Sequence, residues 1–157
     1  MLRDVVVDTN VFAHAQNPDE ERFDASLRFV RRLLDVKTLL CIDPGFKLPP
    51  DVNRSLIGAE YLEHLHFGSF AFNALATLLA GERTSEIKLT VPHATKKRVL
   101  QLIRKPRDRS FLIAAINSNE NVFVSHDYED FQVDKRECIR REFAVRIQEA
   151  KDTIHEL

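Results

Sequence analysis

Apolar runs alternate with amphipathic segments along almost the whole chain. Val5-Val6-Val7 is a short continuous apolar run that stops at Asp8-Thr9-Asn10. That is the pattern of a strand buried on both faces, with its polar groups beginning where it ends. Apolar positions resume at Val11 and Phe12, predicting a helix there. After Asn17-Pro18-Asp19 breaks the pattern, Phe23, Leu27, Val30 and Leu34 recur at helical spacing over residues 20–36. Thr38-Leu39-Leu40-Cys41-Ile42 predicts a second buried strand, closed by the turn Asp43-Pro44-Gly45. Two such strands joined by a helix make a parallel unit.

A loop carrying Pro49 and Pro50 leads into a helix predicted over about 53–67. Residues 69–81 are apolar nearly all round and too short to cross a bilayer, so this helix is expected to be either buried or covered by another chain, which makes it a candidate interface. Residues 84–90 are polar, a loop with a short extended piece. Pro92 opens a helix to about Ile103, with Lys96, Lys97 and Arg98 opposite Val99, Leu102 and Ile103. Another helix follows Pro106. Asn121-Val122-Phe123-Val124-Ser125 is the third clear strand, residues 134–141 read as helix, 143–147 as a fourth strand and 149–157 as a closing helix.

Composition narrows the class. A chain of 157 residues, 44% hydrophobic and 30% charged, suits one globular domain able to bury its own core, and no linker or repeat interrupts it. Cys41 and Cys138 match no zinc or redox spacing, which fits a reducing, cytoplasmic setting. No stretch approaches a membrane span, and Met1-Leu2-Arg3-Asp4 runs into the first strand without a signal-peptide pattern, so neither insertion nor export is expected. With a net charge of -1 the whole-molecule field does not attract a polyanion. Nucleic-acid binding must then rest on local basic patches.

The acids at element ends change the picture further. Asp8 follows the first strand, where open α/β sheets place their chemistry, although Asp8 or Asn10 could instead cap the next helix. Asp43 also ends a strand but sits in a turn sequence and is read as a turn-former. On the helical wheel Glu60 falls between Leu56 and Ile57 on the apolar arc, whereas Glu63 lies at its edge. Asp108 opens the helix after Pro106 with Phe111, Leu112 and Ala115 at i+3, i+4 and i+7, on the buried stripe. Asp127 follows the third strand in Ser125-His126-Asp127-Tyr128-Glu129-Asp130-Phe131, where His126 is read as a surface histidine. In a parallel sheet centred on the first strand, Asp8, Glu60, Asp108 and Asp127 can converge on one rim. Four ionised carboxylates in a small space need a cation, and hard oxygen ligands select Mg²⁺ or Mn²⁺. The natural substrate of such a centre is a phosphodiester.

Val7-Asp8-Thr9-Asn10-Val11-Phe12, the helix acid in Glu60-Tyr61, Asp108-Arg109-Ser110-Phe111-Leu112-Ile113-Ala114-Ala115 and the segment from Ser125 to Phe131 together resemble a PIN-domain nuclease, in that family's motif order and over nearly the whole chain. The resemblance implies a three-layer α/β/α sandwich on a central, mainly parallel sheet of four to five strands, metal-dependent endonucleolytic cleavage of single-stranded RNA, and a homodimer. It maps the catalytic and metal-binding acids to Asp8, Glu60, Asp108 and Asp127, with Asn10, Ser125 and Asp130 in support. The family's second acid usually follows the second strand closely, whereas a proline-containing loop intervenes here, so Asp43 and Glu63 stand as substitutes for Glu60. Many such nucleases are toxins paired with a protein antitoxin, which makes an antitoxin or other regulator a candidate partner. Arg104, Lys105, Arg107 and Arg109 flank Asp108 and are expected to hold substrate phosphates. The competing readings are a haloacid-dehalogenase-like phosphatase, which needs an acid where Asn10 stands, a phospho-receiver module, and an inactive PIN fold that only binds RNA or protein.

Overall fold

The computed structural model describes residues 1–157. Five strands form one all-parallel sheet: β1 (Asp4–Val7), β2 (Leu39–Ile42), β3 (Thr84–Glu86), β4 (Val122–Val124) and β5 (Arg146–Gln148), in the order β3-β2-β1-β4-β5. Eight helices flank it: α1 (Thr9–His14), α2 (Phe23–Asp35), α3 (Leu56–His64), α4 (Phe70–Ala80), α5 (His93–Leu102), α6 (Pro106–Asn117), α7 (Val133–Phe143) and α8 (Ala150–Thr153). The architecture is the expected three-layer α/β/α sandwich. No helix is long and apolar enough to cross a membrane.

The layering follows from the path of the chain. It steps from β1 to β2 to β3 in one direction, then returns across β1 to lay down β4 and β5 on the other side. With right-handed crossovers, the helices of the two halves fall on opposite faces of the sheet. Accordingly α2 packs against α1, α4 and α8, while α6 packs against α5, β1 and β4. β1 and β4 lie side by side at the point where strand order reverses, with Val6 opposite Phe123 and Val7 opposite Val124. Asp8 N extends that ladder to Val124 O at 2.8 Å, so the residues after the two strands face each other across one crevice.

β1 and β4 are buried throughout, which is why Val5-Val6-Val7 and Val122-Phe123-Val124 are apolar runs, while the buried Asp4 that opens β1 accepts from Asn119 N and Glu120 N. The edge strands differ. β3 carries Thr-Ser-Glu because it is half exposed, and only a short extended piece had been expected in that polar segment. The last strand is Arg146–Gln148, three residues beyond the expected start at 143, because α7 runs on through Phe143 and Ala144 ends it in a left-handed conformation (φ 59°). The helix expected over 53–67 is confined to Leu56–His64, starting where Ser55 Oγ accepts a bond from Gly58 N. The closing helix is a single turn, Ala150–Thr153, rather than the expected 149–157.

The apolar helix α4 buries Ala71, Ala74, Leu75 and Leu78 and packs on α2 and α1 of its own chain. Of the two expectations for it, burial within the domain accounts for that face, and no second chain is required to cover it. Close packing also fixes α3. A Cβ on Gly58 would lie 2.1 Å from the Phe46 ring, so only glycine lets the helix approach that side chain. Tyr61, fully buried on the same helix, donates from its hydroxyl to Val7 O at 2.6 Å, tying α3 to the end of β1.

Candidate active site

Asp8 occupies the N-cap position of α1 but makes no side-chain capping bond. Its Oδ2 instead accepts from Ser125 Oγ at 2.7 Å and from Asn10 Nδ2 at 3.1 Å. The capping alternative therefore fails, and the carboxylate is oriented by groups from β4 and α1. Ser125 Oγ also accepts from Asp127 N at 3.1 Å, and Asn10 Oδ1 accepts from His126 N at 3.2 Å, so one hydrogen-bonded frame holds both strand ends. Asp127 Oδ1 in turn accepts from Glu129 N and Asp130 N, which closes the loop after β4 into a tight turn.

Asp8, Glu60, Asp108 and Asp127 all line one cavity of about 190 Å³, together with Thr9, Asn10, His64 and Arg107. Two strand ends, a helix face and a helix start thus converge as their positions in the sequence predicted. Glu60 is directed inward by the wheel position that puts its neighbour Tyr61 in the core, whereas Glu63 is exposed. Asp43 does not line the cavity. It accepts from Ser55 Oγ at 2.5 Å, Leu56 N at 2.7 Å and Ile57 N at 2.9 Å, and so caps α3 in place of contributing to the site.

Charge is the dominant feature. Burial pushes the Asp8 carboxyl up to about 6, aided by the Asp127 charge and opposed by the Ser125 hydroxyl. Asp108 is raised well above the usual carboxylate range, first by burial and then by the charges of Asp8, Asp130 and Asp127. Asp130 is held low by Lys105, whose Nζ lies 2.6 Å from its Oδ2, although burial works against this. Asp108, Asp127 and Asp130 offer oxygens within 4.8 Å of one another, and Glu60, Glu63 and His64 form a second such group. Two unit charges 4 Å apart repel by about 4 kcal/mol at an effective protein dielectric. The pocket can relieve this by retaining protons, as the raised carboxyls of Asp8 and Asp108 do, or by taking a cation. Asp108 Oδ2 is buried without a hydrogen-bond partner, an atom suited to the second remedy.

The basic residues near Asp108 separate on inspection. Arg107 lines the cavity with its Nη1 4.0 Å from Glu60 Oε2, and Lys105 pairs with Asp130. Arg109 donates from Nε to Ile103 O at 2.7 Å and holds the approach to α6, while Arg104 is exposed and outside the cavity lining.

His126 corrects an expectation. It is buried, 6 % exposed, rather than a surface residue. Ala150 N donates to its Nε2 at 3.3 Å, which leaves the proton on Nδ1 to donate to His14 Nδ1 at 2.9 Å. Burial, with the neighbouring His14 and Arg22, pushes His126 down to about 4, so the pair is neutral at ordinary pH. The pairing partner makes the burial tolerable, and no periodicity in the sequence announces it. His64 was also missed as a cavity residue, although it lies one helical turn after Glu60 and so shares its face. Comparison with protein-family models, curated proteins and solved structures finds no match to this chain.

Proposed function

We propose that this protein is a divalent-metal-dependent nuclease of the PIN type, hydrolysing phosphodiester bonds in single-stranded RNA. The observation that carries the reading is the convergence of Asp8, Glu60, Asp108 and Asp127, from four separate elements, on one small cavity at the switch point of a parallel sheet. Their order along the chain and the motifs around them are those of the PIN resemblance, from which the preference for RNA is taken.

All-oxygen donors with an unpartnered buried Asp108 Oδ2 suit Mg²⁺ or Mn²⁺; Asp108 and Asp127, whose oxygens lie within 4.8 Å of each other, would hold it, with Asp8 and Glu60 lining the same cavity. When bound, the ion supplies Lewis-acid chemistry, making water a better nucleophile and stabilising the charge that develops on phosphate. The remaining work falls to the chain itself. Ser125 and Asn10 both bond Asp8 through Oδ2, which fixes the plane of the carboxylate and leaves Oδ1 free of side-chain donors. Asp130 anchors Lys105 beside the acids, and Arg107 stands on the cavity wall. Together they supply the local positive potential that a phosphate needs next to clustered carboxylates. A haloacid-dehalogenase-like phosphatase is disfavoured because position 10 is an amide that donates to Asp8, where that chemistry needs a second carboxylate.

The test is incubation of the purified protein with a mixed RNA pool in Mn²⁺ or in EDTA, alongside Asp8→Asn. Cleavage in Mn²⁺ that EDTA and the substitution both abolish is the expected result. Undiminished cleavage by Asp8→Asn, or none by the unmodified protein, would overturn the reading.

A further inference from the structure

The acidic cavity does not stand alone. A second cavity of about 250 Å³, between α3 and the start of α6, shares Glu60, Arg107 and Phe111 with it, so the two adjoin across those side chains and together line one stretch of surface, a groove along the α3–α6 seam. Their chemistry differs sharply. The second cavity is lined by Leu56, Ala59, Pro106 and Ser110 and contains no acid besides the shared Glu60. Leu56, in the first turn of α3, is 59 % exposed, a large apolar side chain left in water at the edge of the groove. Arg107 stands at the junction. Its guanidinium is 4.0 Å from Glu60 Oε2, too long for a hydrogen bond, and the side chain is 47% exposed, so it is free to take another anion.

We propose that this annex seats the base of the nucleotide adjoining the scissile phosphodiester, with Arg107 on the phosphate between annex and acids. The proposal rests on the nuclease reading of the acidic cavity. Its physical basis is the order of chemistries along the groove: carboxylates, then a cation, then an apolar recess with one hydroxyl. A nucleotide strand presents the complementary order of reacting phosphate, flanking phosphate and a base with apolar faces and a polar edge. Clustered acids offset much of the pull of Arg107 and Lys105 on the backbone, so an uncharged part of the substrate adds affinity that phosphate contacts do not supply. The base is that part. A base can enter a recess only when it is unstacked and unpaired, so the annex also accounts for selection of single strands over duplex. Ser110 Oγ is the polar group available to the base edge, since its one bond, to Pro106 O, is long at 3.4 Å.

The test uses full-length ¹⁵N-labelled protein in EDTA, titrated with uridine or adenosine 5′-monophosphate and separately with inorganic phosphate, plus steady-state cleavage of a labelled single-stranded RNA in Mn²⁺. Nucleotides should shift the amide resonances of Leu56, Ala59 and Ser110, which inorganic phosphate alone should leave in place. Leu56→Asn should weaken nucleotide binding roughly five- to tenfold, the loss of one partly buried apolar side chain. It should raise KM by a similar factor with kcat unchanged, since the contact is made equally in ground and transition states. Val133→Asn, at an exposed apolar position on α7 outside both cavities, is the control and should change neither. Shifts elsewhere or none, or cleavage by Leu56→Asn at the unmodified KM, would overturn the annex while leaving the nuclease reading intact. Nucleotide binding in the annex of a protein that cleaves no RNA would instead overturn the nuclease reading, and with it the annex as a substrate subsite.

Discussion

Replacing Asp8 with Asn should make the metal-free protein more stable while abolishing its activity. The magnitude comes from the Asp8 carboxyl, which burial raises from 3.8 to about 6. Ionising it in the folded state therefore costs about 3 kcal/mol more than in the unfolded chain. An unfolded chain gives up this proton near 3.8, whereas the folded protein keeps it until about 6. Stability is thus lost as pH rises through that window and stays lost above it. Asn has nearly the shape of the protonated acid, and its carbonyl oxygen can still accept from Ser125 and Asn10. In EDTA at pH 8, thermal unfolding followed by circular dichroism should show Asp8→Asn melting higher, with a shift of roughly 6–12 °C as the upper range for a chain of this size. The difference should shrink toward zero near pH 4. A variant that is less stable at pH 8, or a difference independent of pH, would refute the assignment of Asp8 as a strained, charge-bearing site residue.

Other consequences can be checked in the same way. His126 is pushed down to about 4 from 6.5, so the unfolded chain takes up a proton before the folded one, and stability is lost as pH falls through that window. His126→Asn should flatten this acid limb in urea denaturation measured between pH 7 and 4. Tyr61→Phe removes the buried bond to Val7 O and should cost about 1–2 kcal/mol in urea denaturation. It should also lower kcat more than it raises KM, because Glu60 is held through that helix. Gly58→Ala drives a methyl into the Phe46 ring and should destabilise by about 1–3 kcal/mol or more, measured by the same denaturation.

The parts of the fold that were readable in the sequence are those where burial is symmetric. β1, β2 and β4 lie at the centre of the sheet, so their apolar runs had no competing explanation. The edges were less readable: Thr84–Glu86 pairs on one side only and keeps a polar sequence, and Arg146–Gln148 is displaced by the left-handed turn at Ala144. The acids of the site were readable because each sits at a strand end or on an apolar helical stripe, where a charge is costly without a purpose. Asp43 shares the strand-end position yet caps α3, and only its turn context separated it from Asp8. The histidine pair was invisible because its partners, His14 and His126, are brought together by the fold across 112 residues. Continuity of the cavity with its apolar annex likewise depends on how α3 meets α6.

Binding of a divalent cation by the acids of this cavity, with Asp108 among its ligands, is what the proposed function depends on. Isothermal titration of Mn²⁺ into metal-free protein at pH 6, where the Asp8 carboxyl is about half protonated, repeated in buffers of different ionisation enthalpy, tests it most directly. Saturable binding with release of protons is expected, because the raised carboxyls of Asp8 and Asp108 must ionise to take the ion, together with loss of that binding in Asp108→Asn. Absence of binding to the unmodified protein, or equal binding to Asp108→Asn, would contradict it.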